Sequence, residues 1–146
     1  MNVTMILADA AQVADGKLYI LGGGWSVTGP EPTPSAVAIK VGVDTPEFAT
    51  THHWELFLED TDGQPVAFET PDGPQFVEVR GDFSVAPPED VPDGTPVDVP
   101  IAINFGPIPL REGARYSWRL VVDGETLPGG LVSFTTRPAR APVEPS

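Results

Sequence analysis

The residues that could carry acid–base or metal chemistry are few, because the 146-residue chain has two histidines and no cysteine. His52 and His53 are adjacent, so on a β-strand their side chains point to opposite faces and cannot bind one metal ion together. His53 and Glu55 share a face but supply only two ligands. The pattern predicts exposed strand histidines rather than a metal site.

Nucleophilic catalysis would need a serine with a histidine and a carboxylate beside it. The Gly-x-Ser-x-Gly turn that presents a nucleophile surrounds none of Ser26, Ser84, Ser117 and Ser133. We therefore predict no catalytic residue and no cofactor. A hydrolase of unrecognised type is kept as a third hypothesis.

The segment Asp60-Thr61-Asp62-Gly63 has two carboxylates at the spacing that begins many calcium-binding loops. Calcium takes about six to eight oxygen ligands, and Gln64, Pro65 and Val66 do not continue the pattern. A hairpin turn explains the segment more simply, so we predict no calcium site.

The run Gly22-Gly23-Gly24 followed by Trp25 is the most unusual short feature. Three glycines permit positive φ and close backbone approach, and Trp25 could then anchor a partner. The alternative is a bulge or strand crossover in which Trp25 caps the core. Without a following helix, the run is not a nucleotide-binding motif.

Aromatic residues divide between the two faces of the predicted strands. Those on apolar faces are predicted core residues: Trp54, Phe83, Phe105, Trp118 and Phe134. Tyr19 and Phe57 fall on outward faces, where aromatic rings can mark a partner-binding or sugar-binding surface. These two residues join the Gly22 to Trp25 turn, Arg137 and Arg140 as the predicted contact residues.

Alternation of apolar and polar residues predicts the elements that position these side chains. It is clear over residues 37–43, 52–59, 77–85, 97–105 and 116–122, and weaker over 3–8, 17–22, 66–69 and 130–136. Eight or nine strands are therefore expected. Pro100 marks its strand as an edge strand or a bulge, because proline cannot donate to a sheet ladder.

The connections favour antiparallel pairing. Asp123-Gly124 suits a type I′ hairpin turn, in which both central residues have positive φ, and Asp15-Gly16 and Asp62-Gly63 are similar signals. With 18 prolines and 15 glycines, the chain offers no convincing amphipathic helix. We predict an all-β fold: a single antiparallel β-sandwich, immunoglobulin-like or jelly-roll-like, over residues 1–136, followed by a Pro-rich extended tail over 137–146.

The formal net charge is −13, and residues 44–98 hold 14 of the 21 acidic side chains but one of the eight basic ones. Nucleic-acid binding needs clustered Lys and Arg, and anionic membranes repel an acidic surface, so we expect neither partner. Five arginines near the C-terminus could meet an acidic surface on a neighbouring copy: Arg111, Arg115, Arg119, Arg137 and Arg140. The alternative is scattered, solubilising charge.

The stretch from Ile6 to Trp25, which contains Asp-Ala-Ala, Asp-Gly-Lys-Leu and Ile-Leu-Gly, resembles the opening of an uncharacterised bacterial family of unknown function. Members of that family come largely from actinobacteria and their phages. The Gly-x-x-Tyr-x-Trp pattern that starts at Gly113 is similar in character. The resemblance implies a small β-sandwich and transfers no catalytic residue.

The leading hypothesis is a non-catalytic structural or accessory protein that acts through protein–protein contacts or self-assembly as a homo-oligomer. Its specific version is a phage virion decoration protein or minor capsid component, with the tail at 137–146 docking on another chain. The alternative is a module that binds a small ligand or carbohydrate. Because the N-terminus lacks the basic region of a signal peptide, we expect a cytoplasmic protein, or one in a virion assembled there.

Overall fold

The computed structural model describes residues 1–139, which form twelve β-strands and one short 3-10 helix at Thr45–Glu47. The strands in chain order are β1 (Asn2–Ala8), β2 (Ala10–Ala14), β3 (Lys17–Leu21), β4 (Val27–Thr28), β5 (Ser35–Val43), β6 (His52–Asp60), β7 (Ala67–Thr70), β8 (Gly73–Phe76), β9 (Glu78–Phe83), β10 (Val97–Phe105), β11 (Arg115–Val122) and β12 (Glu125–Thr136). The fold is all-β, as predicted. None of the described residues form a helix with the length and apolar character needed to span a membrane.

All nine alternating segments form strands, but the predicted total of eight or nine is too low. The three additional strands are β2, β4 and β8. Alternation of apolar and polar residues does not reveal these three strands, and each has a physical reason. The β2 sequence Ala-Ala-Gln-Val-Ala contains little large apolar surface, β4 has two residues, and β8 begins with Gly73 and Pro74.

The strands form four sheets rather than one continuous arrangement. The order is β1-β5-β10 in a three-stranded sheet and β4-β12-β11-β6-β9 in a five-stranded sheet, with β2–β3 and β7–β8 as two-stranded hairpins. Pairing is antiparallel except between β4 and β12. Pro100 lies in β10, at the edge of the three-stranded sheet, the position at which sheets tolerate proline.

One hydrophobic core lies between the two larger sheets. The three-stranded sheet contributes Val37, Ile39 and Val41 of β5, and the five-stranded sheet contributes Leu56 and Leu58 of β6, all fully buried. The ring of Phe105 in β10 stacks on Trp118 in β11, with centroids 4.7 Å apart. The predicted core aromatics Trp54, Trp118 and Phe134 are buried, and Phe83 and Phe105 are partly buried against them.

The three-stranded sheet is covered on its second face as well. Ala36 and Ala38 alternate with the core residues of β5 and form a separate buried cluster with Ala8 and Ala11. Leu18 of β3 packs against this cluster. Because alanine side chains are short, the β2–β3 hairpin lies close to the sheet, and it becomes a third layer.

Candidate functional site

The β2–β3 hairpin is fixed to the sheet beneath it by an asparagine. Asn104 lies in β10, where its Nδ2 donates to the Ala11 carbonyl at 2.7 Å and its Oδ1 accepts from the Ala11 N–H at 3.1 Å. The side-chain amide thus bonds the backbone of β2 as a neighbouring strand would. Asp15 and Gly16 form the tight turn of the hairpin with φ values of 51° and 70°, as predicted.

The outward face of this hairpin carries apolar side chains. Leu21 is 71% exposed and Tyr19 53%. Pairing places Tyr19 beside Gln12 and Leu21 beside Ala10, on the face that looks away from the alanine cluster. The predicted contact residue Tyr19 is therefore exposed. Tyr19 and Leu21 form an exposed apolar group on this face, the hairpin patch, whereas Val13 and Ile20 are exposed on the opposite face, which they share with Leu18.

The three glycines connect the hairpin to the body of the protein. Gly22 has a φ of 60°, and a Cβ there would collide with the Asp9 carboxylate, which lies against it. A Cβ on Gly23 would come within 2.6 Å of Ile20 Cγ2, and Gly24 N donates to Leu7 O at 2.7 Å. The run thus crosses closely over the end of β1. Glycine is needed at positions 22 and 23 because the packing there leaves no space for a Cβ atom.

Trp25 is partly buried at the end of that crossing. Its ring meets Phe134 edge-on, with centroids 6.0 Å apart, and both residues line a cavity of about 40 Å³ that also contacts Trp118. The buried indole Nε1 has no hydrogen-bond partner among residues 1–139. This cavity adjoins an open groove of about 700 Å³ lined by residues that include Gly29, Glu31 and Arg137.

The two histidines differ in environment. The prediction that both are exposed is wrong for His52, which is buried, while His53 is exposed on the opposite face. His52 Nδ1 lies 2.6 Å from Asp123 Oδ2 and its Nε2 lies 2.8 Å from Glu47 O. The hydrogen bond to Glu47 O and then the Asp123 carboxylate raise the pKa of His52. The hydrogen bond from His52 and then the one from the His53 N–H lower the pKa of Asp123.

The outer face of the five-stranded sheet is covered by ion pairs. His53 pairs with Asp82, and Arg80 Nε lies 3.3 Å from Glu55 Oε2. Arg119 Nε lies 2.6 Å from Glu59 Oε1. The predicted contact residue Phe57 is half-buried on this face, with Arg119 and Glu78 as its cross-strand neighbours. It is therefore less accessible than Tyr19.

The Asp60 to Gly63 segment is a hairpin turn, as predicted. Asp60 Oδ1 accepts from the N–H groups of Asp62 and Gln64, each at 2.9 Å, so one carboxylate oxygen already caps the turn. Within residues 1–139, no group of three or more His, Asp or Glu side chains is placed to hold a metal ion.

Two of the serines considered as nucleophiles in the sequence are bonded to each other. The hydroxyl oxygens of Ser117 and Ser133 lie 2.7 Å apart.

The arginines near the C-terminus do not act as one patch. Arg119 is engaged by Glu59, and Arg137 donates to Gly29 O at 3.1 Å. Arg111 and Arg115 line a groove of about 640 Å³ together with residues that include Asp60 and Asp62. Arg140 and most of the predicted tail, residues 140–146, lie outside the described residues.

Comparison with known proteins identifies a family. A model of a family of unknown function, DUF6941, matches residues 3–129. The chain belongs to the DUF6941 family. The match spans the hairpin patch, the glycine crossing and the His52 contacts. No curated protein and no solved structure matches the chain.

The sequence predictions missed four residues that define the hairpin site. Leu21 extends the exposed surface around Tyr19, Val13 is exposed on the other face of the hairpin, Asn104 fixes the hairpin to β10, and Asp9 lies against Gly22 at its base. One signal was available. Residues 18–21 are Leu-Tyr-Ile-Leu, so the strand is apolar on both faces, whereas a two-stranded hairpin can bury only one of them.

Proposed function

We propose that this DUF6941 chain is a non-catalytic contact module: a β-sandwich scaffold that presents the hairpin patch to a protein partner. The single observation that carries the proposal is the exposure of Leu21 and Tyr19 on a hairpin that is itself firmly fixed. Apolar side chains grouped on one surface and held rigidly are typical of protein interfaces.

The sandwich part of the proposal is supported by the shared core. The alternating faces of β5 and β6 meet in one hydrophobic cluster between the three-stranded and five-stranded sheets. A second detail also favours it. The Tyr116 hydroxyl accepts from the Arg111 N–H at 2.9 Å, and a tyrosine bonded to backbone a few residues upstream occurs at the corner of immunoglobulin-like sandwiches.

A contact role fits the remaining surfaces better than catalysis does. Both ring nitrogens of His52 are occupied by Asp123 and Glu47, and His53 is paired with Asp82. These groups are arranged to hold strands and turns together. The virion decoration or minor capsid role stays a prediction from the sequence resemblance, and a cytoplasmic location stays a prediction from the N-terminal sequence.

Site-specific crosslinking tests the proposal. A photo-crosslinking amino acid is placed at Tyr19 and, as a matched control, at Leu131, an apolar residue that is 49% exposed outside the hairpin. We expect protein adducts at Tyr19 in the cells that make the protein and few at Leu131. Equal adducts at both positions, or none at Tyr19, would overturn the proposal.

A second candidate function, a small-ligand or carbohydrate module, is favoured by the Trp25 indole N–H, which lies beside its cavity and has no hydrogen-bond partner in the described part of the chain. The cavity of about 40 Å³ holds little more than a water molecule, so a ligand would need to enter from the adjoining groove. Titration with glycans while following tryptophan fluorescence tests this candidate. A response that is unchanged in Trp25→Phe would remove it.

A further inference from the structure

The β3 strand has an unpaired edge. In the two-stranded hairpin it pairs with β2, and no described strand pairs with its other side. Leu21 O accepts from Asp9 N at 3.1 Å on the β2 side. Because hydrogen-bonding direction alternates along a strand, the N–H and C=O groups of Leu18 and Ile20 face the free edge.

Charge around this edge differs from that of the acidic middle of the chain. Residues 1–43 carry a net charge of −1, whereas residues 44–98 hold 14 acidic side chains and one basic one, a net charge of −13. Two copies of this protein therefore repel each other less where residues 1–43 meet than where residues 44–98 meet. The hairpin patch is better suited to a second copy of this chain than the acidic segment is.

Two exposed charges at opposite ends of β3 make the edge self-complementary. Lys17 begins the strand, and the Asp9 carboxylate lies against Gly22, just beyond its end. Both side chains are exposed, and neither forms an ion pair within residues 1–139. Antiparallel pairing of two copies of β3 about a two-fold axis brings each Lys17 next to the Asp9 of the other copy.

We propose that two copies of this chain pair through their β3 edges, with Tyr19 opposite Tyr19 and Leu18 opposite Ile20. This register forms about four backbone hydrogen bonds and places Lys17 opposite Leu21, so that the ammonium reaches Asp9 of the second copy. Tyr19 becomes covered by the Tyr19 of the second copy, and Leu21 by the aliphatic part of its Lys17. The inference rests on the proposed contact function and names its partner.

Sedimentation velocity on the full-length protein, across a wide range of concentration, tests the pairing. Wild type is expected to shift towards twice the monomer mass as concentration rises. Lys17→Glu alone and Asp9→Lys alone should each raise the dimer dissociation constant about tenfold, because each change puts two like-charged pairs at the interface. Tyr19→Asp should raise it about 100-fold, because it removes the apolar contact at the two-fold axis and places two carboxylates opposite each other.

Mixing the two charge variants is the decisive step. The Lys17→Glu chain and the Asp9→Lys chain are complementary at both ends of β3, so an equimolar mixture should regain a dissociation constant close to that of wild type. The Glu55→Lys variant, altered on the ion-paired face of the five-stranded sheet, serves as the charge control and should pair as wild type does. Circular dichroism spectra identical to wild type establish that each variant is folded.

The outcomes separate this inference from the contact function. A wild-type monomer at every concentration, or a mixture no tighter than either variant alone, overturns β3 pairing. If Tyr19 still crosslinks to a different protein in that case, the contact function stands with another partner. If Tyr19 forms no protein adduct, both proposals fail.

Discussion

Replacing Asp123 with asparagine should uncouple the β11–β12 turn from β6. Asp123 bonds the His52 ring through Oδ2 and accepts the His53 N–H through Oδ1 at 2.9 Å. Because both nitrogens of His52 face acceptor oxygens, only the protonated imidazolium satisfies both bonds. Asparagine tolerates the positive φ of 51° and keeps an oxygen for His53, so the variant removes mainly the charge.

The size of the effect follows from burial. A hydrogen bond to a charged group contributes about 1.5–3 kcal/mol. His52 is buried, but the Asp123 side chain is 43% exposed, and solvent screening reduces the value. We expect Asp123→Asn to lower the free energy of unfolding by about 1–2 kcal/mol. For a chain of this length, the melting temperature should fall by about 3–8 °C.

The effect should depend on pH in a defined direction. The pKa of His52 is raised above 6.5, so its stabilising contribution is complete below that pH and is lost as pH rises through the folded-state pKa. The pKa of Asp123 is lowered below 3.8, so its contribution is complete above that pH and is lost as pH falls through the folded-state pKa. The destabilisation by Asp123→Asn is therefore largest from about pH 4 to about pH 6.5 and smaller in alkaline solution.

Urea denaturation at about pH 5.5 and about pH 9 measures the difference. The matched control is Asp15→Asn, because Asp15 occupies the other Asp-Gly turn with the same φ of 51° and has no ion pair within the described part of the chain. That control should change the free energy of unfolding by less than about 0.5 kcal/mol. The reasoning is refuted if Asp123→Asn lowers the free energy of unfolding equally at both pH values, or by no more than Asp15→Asn does.

Three further substitutions test how the hairpin is held. Asn104→Leu leaves the N–H and C=O of Ala11 unpaired, so the free energy of unfolding should fall by about 1–3 kcal/mol and hydrogen exchange at the Ala11 amide should accelerate; unchanged exchange would contradict this role. Ala38→Leu overfills the space beneath the hairpin and should cost about 1–3 kcal/mol in urea denaturation; a neutral result would mean that the layer is loose. Gly22→Ala should lower the melting temperature more than Gly16→Ala, because both have positive φ but only Gly22 lacks space for a Cβ; equal losses would count against the tight crossing.

Alternation predicted the long strands because each buries one face. In β6, Trp54, Leu56 and Leu58 face the core while His53 and Glu55 face outward, as the sequence pattern indicated. The same test cannot detect β2, whose alanines become buried only when the hairpin folds onto the alanines of β5. A period-two pattern describes one strand and carries no information about a layer that packs on it.

The candidate site depends on contacts between distant residues. Tyr19 was recognised as outward because it alternates with Leu18 and Ile20, but the role of Asn104 depends on a bond to Ala11, 93 residues away. His52 was predicted to be exposed, although alternation along β6 places it on the same face as Trp54 and Leu56. Its burial depends on Asp123, 71 residues further along the chain, which supplies the charge partner.

Hydrogen exchange measured at low and high protein concentration tests the central claim most directly. The full-length wild-type chain should show greater protection of the Leu18 and Ile20 amides as concentration rises, because those groups bond the second copy. The amides of β9, the edge strand of the five-stranded sheet, serve as the internal control and should not change. Protection at β3 that is independent of concentration, or a rise at β9 instead, would contradict pairing through the hairpin.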